Sequence, residues 1–192
     1  VLVLILGLVI FLGVHSVRIF AEDWRRRAIA RLGEGPWKGV YSLVSAAGFV
    51  ILIWGYGLAR PESALLFEPP TWLKHVAIAL NLIAFLLLGA FIVPAGRIKA
   101  RLGHPMILGV KTWAFAHLLA NGRVADLVLF GAVLAWAIAD FMAARARDRA
   151  EGTVRVAGPV RNDALAILIG VLLWGALVWR VHYWITGVSP LT

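Results

Sequence analysis

The chain predicts an all-α fold, a polytopic bundle of about six transmembrane helices in a single domain over residues 1–192. Three observations carry that expectation. Of its 192 residues 61% are apolar, and the mean hydropathy of +0.87 is far above that of a water-soluble domain. Apolar runs approach the roughly 20 residues that a helix needs to cross the hydrocarbon core, at about 1–19, 38–58, 72–94, 105–120, 123–142 and 164–186. Charged residues collect between the runs rather than within them.

In chain order, the first run is interrupted only by His15, Ser16 and Arg18. Without a basic leading region or a small-x-small cleavage motif before Arg25-Arg26-Arg27, it reads as a retained helix rather than a signal peptide. Pro61 and Pro69-Pro70 bracket the connection after the second run, and Asn121-Gly122 marks a tight hairpin between the fourth and fifth. The fourth run is the shortest and most polar. The basic 143–163 segment has room for a surface helix and a turn at Gly158-Pro159. Trp24, Trp37, Trp72 and Trp184 fall where helices meet headgroups, whereas Trp54, Trp113, Trp136, Trp174 and Trp179 lie deeper, as packing residues or against a planar cofactor.

Fourteen of the 19 Lys and Arg lie in the segments 18–38, 95–104 and 143–163. The positive-inside rule makes those segments cytoplasmic and places both termini in the periplasm. The same distribution explains the formal charge of +9 and the pI near 11.1 without nucleic acid, leaving the lipid bilayer as the partner. The chain has no cysteine, which removes disulfides, iron–sulfur clusters, thiolate haem ligation and covalent haem attachment. Histidine is then the strongest ligand for a transition metal.

Ionisable groups within spans are costly in hydrocarbon and tend to face the bundle interior. The candidates are His15, Lys111, His117, Asp126, Asp140, Arg180 and His182, with Asn81 as a polar neighbour. Asp140 reads as a helix-end residue that is solvated or paired with Arg145, and Asp126 as a local partner of Arg123. His75 and His182 lie near outer helix ends, where the interface explains them. Arg18, one turn after His15, is placed to meet a propionate or carboxylate. Trp113 shares a helix face with His117, while His104 points almost the opposite way on a regular helix. Two histidines on different helices are the usual means of holding b-type haem without a covalent link.

Several stretches together resemble the NnrU family: Val14-His15-Ser16-Val17-Arg18, Tyr41-Ser42-Leu43-Val44-Ser45, Pro69-Pro70-x-Trp72, Gly103-His104-Pro105, and Lys111-Thr112-Trp113-Ala114-Phe115-Ala116-His117-Leu118 with Asn121-Gly122. The resemblance runs over essentially the whole chain. It implies a bacterial inner-membrane protein linked to denitrification, supporting nitrite and nitric oxide reductase function or expression. The family is similar to 15-cis-zeta-carotene isomerase, a haem b membrane enzyme whose iron exchanges an axial ligand on reduction. Carried over by position, that likeness implies His15 and His117 as haem ligands. The isomerase's cysteine falls on Ala114, so a thiolate ligand switch is unavailable to this chain.

In a straight-helix topology His15 lies toward the cytoplasmic end of its span and His117 toward the outer end of its own, on the order of 15 Å apart in depth. Pairings of His15 with His104, or of His117 with His75 or His182, therefore stay open. Three functional readings follow: a haem-dependent, redox-linked isomerase-like enzyme or denitrification accessory acting with a hydrophobic small molecule or redox partner; a non-catalytic membrane assembly or sensing factor without haem; and, on a faint likeness of Gly103-His104-Pro105, a membrane methyltransferase.

Overall fold

A computed structural model of the chain describes residues 1–191. They form α1 (Leu2–Phe20), α2 (Glu22–Leu32), α3 (Glu34–Glu62), α4 (Thr71–Ile92), α5 (Arg97–Leu102), α6 (Pro105–Ala120), α7 (Val124–Ala150) and α8 (Val160–Ala176). A π-helical turn, Leu177–Val181, then leads into α9 (His182–Thr186). Among the described residues five helical stretches are long and apolar enough to cross a membrane: α1, α3, α4, α7 and the continuous rod Val160–Thr186. At 16 residues, α6 is shorter, about 24 Å at 1.5 Å per residue. The expected all-α polytopic bundle is the fold observed. Among the described residues the one extended pairing is an isolated bridge between Leu65 and Arg123.

The helices overrun the apolar segments in two places. The 18–38 stretch, read as a basic loop, contains α2. Glu22 and Asp23 complement the positive end of its dipole and pair with Arg25 and Arg26 at 3.0 and 2.8 Å. The fifth apolar segment continues as helix to Ala150 because alanine and arginine, which fill the Ala144–Ala150 stretch except for Asp148, are strong helix formers. Asp140 consequently sits well inside α7 rather than at its end.

The chain divides into two compact units, one of Val1–Glu68 with Gly122–Ala143, the other of Pro69–Asn121 with the described residues from Ala144 on. In the first unit α1 lies against α3. The buried face of α3 is Gly48, Leu52, Gly55 and Ala59, a spacing of three and four that keeps one stripe facing its neighbour. It meets Leu4, Gly7 and Leu8 of α1. A β-carbon on Gly48 would lie 2.7 Å from the Phe11 backbone nitrogen, and one on Gly7 would run into the Leu52 backbone. Glycine here permits backbone contact between helices, which is what holds apolar helices together where water gives no hydrophobic drive.

In the second unit α4 packs against both α6 and α8. A β-carbon on Gly109 of α6 would approach the Ala84 carbonyl to 3.1 Å, and one on Gly170 of α8 the Phe85 carbonyl to 2.7 Å. Trp174 donates its indole N–H to the Ile78 carbonyl at 3.2 Å. The turn into α5 is fixed by Asp163, which is only 9% exposed. Its carboxylate accepts from the backbone N–H groups of Arg97 and Ile98, both at 3.0 Å, so an acid on α8 caps α5.

Candidate functional site

His15 lies near the end of α1, half-buried, with Nδ1 2.7 Å from the Phe11 carbonyl one turn back. A carbonyl only accepts, so Nδ1 carries a proton, and in the neutral imidazole the lone pair is on Nε2. Three aromatic rings surround the imidazole. Phe11 of α1 is 4.4 Å away between ring centroids, Tyr41 of α3 is at 5.4 Å, and Trp136 of α7 stands nearly perpendicular at 5.9 Å. The Trp136 indole nitrogen is buried and has no hydrogen-bond partner. Asp140, one turn beyond Trp136, and Arg25 are the charged groups that act on Tyr41. Arg18 extends from the last turn of α1.

His117 repeats the arrangement in the second unit. Its Nδ1 is 2.9 Å from the Trp113 carbonyl, which places a proton on that nitrogen as well. The Trp113 ring lies 4.7 Å from the imidazole. Asn121 closes the helix by donating its side-chain amide to the His117 carbonyl at 2.9 Å. Ala114, which stands where the isomerase has cysteine, is fully buried.

The other histidines have different surroundings. His104 precedes α6, and its Nε2 lies 2.8 Å from an Asp148 oxygen and 3.2 Å from Arg155 Nη2. Arg155 Nη2 itself donates to both Asp148 oxygens at 2.7 Å. His182 donates from Nδ1 to the Val188 carbonyl at 2.7 Å, tying down the end of α9. His75 is exposed on α4. Of the polar residues inside spans, Lys111 is half-buried and Arg180 exposed. Asn81 donates to the Ala77 carbonyl at 2.8 Å, while its own side-chain oxygen is buried without a partner.

Asp126 is not the local partner of the Arg123 side chain that its spacing suggests. Its carboxylate accepts from the Arg123 backbone N–H at 3.0 Å, the Tyr56 hydroxyl at 2.7 Å and Arg60 Nε at 3.2 Å. The Arg123 guanidinium turns instead to the Ser63 carbonyl at 2.7 Å. The arrangement holds the end of α3 to the start of α7.

A family model described as NnrU protein matches residues 3–190. The chain belongs to the NnrU family. No curated protein and no solved structure matches it. This NnrU protein is therefore a multi-pass membrane protein in which His15 and His117, both half-buried, each hold Nδ1 against the carbonyl four residues back in the same helix. Tyr41 and Trp136 flank His15 from helices that no local spacing links to α1. In the sequence Tyr41 stands out only as the head of a family-like stretch and Trp136 only as one of several deep tryptophans, and neither is tied to His15.

Proposed function

We propose that this NnrU protein is an inner-membrane haem b protein with His15 and His117 as iron ligands, serving denitrification-linked nitrite and nitric oxide reductase metabolism. The observation that carries the reading is the pair of Nδ1–carbonyl hydrogen bonds, 2.7 Å at His15 and 2.9 Å at His117. Each orients an imidazole through Nδ1, the kind of support that ligating histidines ordinarily have on the nitrogen that does not bind metal. Among the described residues no three His, Asp or Glu side chains converge as a metal site. Haem brings four nitrogens of its own and asks the protein for only one or two ligands.

Within that reading the haem would supply one-electron or Lewis-acid chemistry, and the chain supplies position and dielectric. Trp113 and Phe11 wall the imidazoles, and Arg18 offers a cation to a carboxylate. A shallow apolar groove of about 140 Å³, lined by residues that include Leu88, Met106 and Trp113, is wide enough for part of a hydrophobic chain. A redox-linked, isomerase-like activity fits the same residues. Ala114 removes the thiolate from that mechanism, so any exchange of ligands has to use histidine.

The test is the absorption spectrum of the purified protein, oxidised and dithionite-reduced, beside His15→Ala and His117→Ala. A Soret band with sharp reduced α and β bands, lost in both variants, is the expected result. A colourless protein after expression with ample haem overturns it. That outcome would favour an assembly or sensing factor without haem, in which the same hydrogen bonds simply satisfy the two imidazoles within their own helices.

A further inference from the structure

Trp136 presents an indole N–H that is buried and finds no acceptor in the protein. Its ring stands at 86° to the His15 imidazole with centroids 5.9 Å apart, so the two meet edge to face without a hydrogen bond between them. Tryptophan carries a donor and no acceptor. In an apolar span such a donor is costly unless something accepts from it. Phenylalanine would wall the imidazole equally well, as Phe11 does at 4.4 Å.

We infer that Trp136 is a positioning residue for the group bound at His15, its indole N–H donating to an oxygen acceptor of that group. The inference rests on the haem reading above and names the acceptor within it. The strong acceptors of haem b are its two carboxylates, since the rest of the macrocycle edge is apolar. Arg18, one turn after His15, offers a cation to the same chemistry, while Tyr41 at 5.4 Å and Phe11 complete the aromatic walls. The chain would thus offer the cofactor an imidazole for iron and an indole N–H for a carboxylate.

The experiment uses the full chain in detergent, loaded with haem b or with its dimethyl ester, as wild type and Trp136→Phe. Loss of haem to excess apomyoglobin and the midpoint potential are measured for each. A charge-assisted hydrogen bond predicts that Trp136→Phe releases haem b roughly ten-fold faster. Its potential falls, because the carboxylate's negative charge is no longer offset by the N–H dipole and favours ferric iron, and the two proteins release the ester at similar rates. Equal release of haem b by both proteins overturns the inference and leaves the haem reading standing. So does an equal acceleration with both cofactor forms, which is the signature of packing alone. A wild type that takes up no haem overturns both readings together. Trp136→Tyr, which keeps an aromatic donor, is the second variant should the phenylalanine protein fail to fold. Tyrosine retaining haem b better than the ester, as wild type does, supports the N–H role, and equal loss of both forms overturns it.

Discussion

The Tyr56 hydroxyl of α3 donates a 2.7 Å hydrogen bond to Asp126 of α7, a carboxylate with no exposed surface. Arg60 and the Arg123 backbone share that carboxylate, so one buried charge is balanced and its lone pairs are occupied. Removing the acid takes the shared acceptor from three donors, the Tyr56 hydroxyl, Arg60 Nε and the Arg123 backbone N–H. Asp126→Ala should cost about 2–4 kcal/mol, since two buried hydrogen bonds lose their acceptor while Arg60 is partly exposed. Tyr56→Phe removes a single hydrogen bond and should cost about 1–2 kcal/mol. Thermal unfolding in detergent orders the two, and an Asp126→Ala protein as stable as wild type would refute the account.

The contact between α1 and α3 depends on glycines that leave no room for a methyl group. Gly7→Ala drives a β-carbon into the Leu52 backbone, whereas nothing lies within 4 Å of a β-carbon at Gly13 on the same helix. The first substitution should destabilise by about 1–3 kcal/mol through overpacking. Gly13→Ala should be neutral or stabilising by up to roughly 1 kcal/mol, since alanine is the better helix former. Melting temperatures of the two single variants measure the difference, and equal effects would show that helix propensity, not helix contact, governs both.

A carboxylate on one helix that caps another gives a local readout. Asp163→Ala removes the acceptor for the Arg97 and Ile98 N–H groups and should loosen α5 by about 1–2 kcal/mol. Tryptic cleavage after Lys99 or Arg101 should then quicken, while Asp163→Asn, which retains one acceptor oxygen, should fall between alanine and wild type. Cleavage at the wild-type rate in the alanine variant would mean that Lys99, which donates to the Phe91 and Val93 carbonyls at 2.8 and 2.9 Å, suffices to hold the turn.

The spans were legible because length and apolarity alone decide them: the runs near 1–19, 72–94 and 105–120 correspond to α1, α4 and α6. Helix that leaves the apolar region carries no such mark, so the sequence shows α2 only as a basic connection and the last turns of α7 only as room for a separate surface helix. The candidate site was legible at His15 and His117, which stand out as imidazoles in apolar helices. Their surroundings were not. Trp136 lies 121 residues after His15 and Tyr41 lies 26 after it, and these distances along the chain have no periodicity that could relate them. Asp126 and Asp163 were hidden for a related reason: each acts on donors from segments far away in sequence, while spacing draws attention to neighbours such as Arg123.

His104, Asp148 and Arg155 form a clamp that fastens the 151–159 connection. Arg155 packs so closely on Gly103 that a β-carbon there would lie 3.0 Å from the guanidinium carbon, and Gly103 holds φ at +78°, a conformation open to glycine. Asp148 receives hydrogen bonds from both partners, so its loss should release the connection most completely. Hydrogen exchange across residues 151–158 should accelerate roughly ten-fold in Asp148→Ala, in line with losing charge-assisted bonds at a partly exposed site. His104→Ala should have a smaller effect, because the two 2.7 Å contacts between Arg155 and Asp148 survive it. If His104→Ala matches or exceeds Asp148→Ala, the imidazole rather than the carboxylate is the centre of the clamp, and the Arg155 contacts contribute little to holding the connection in place.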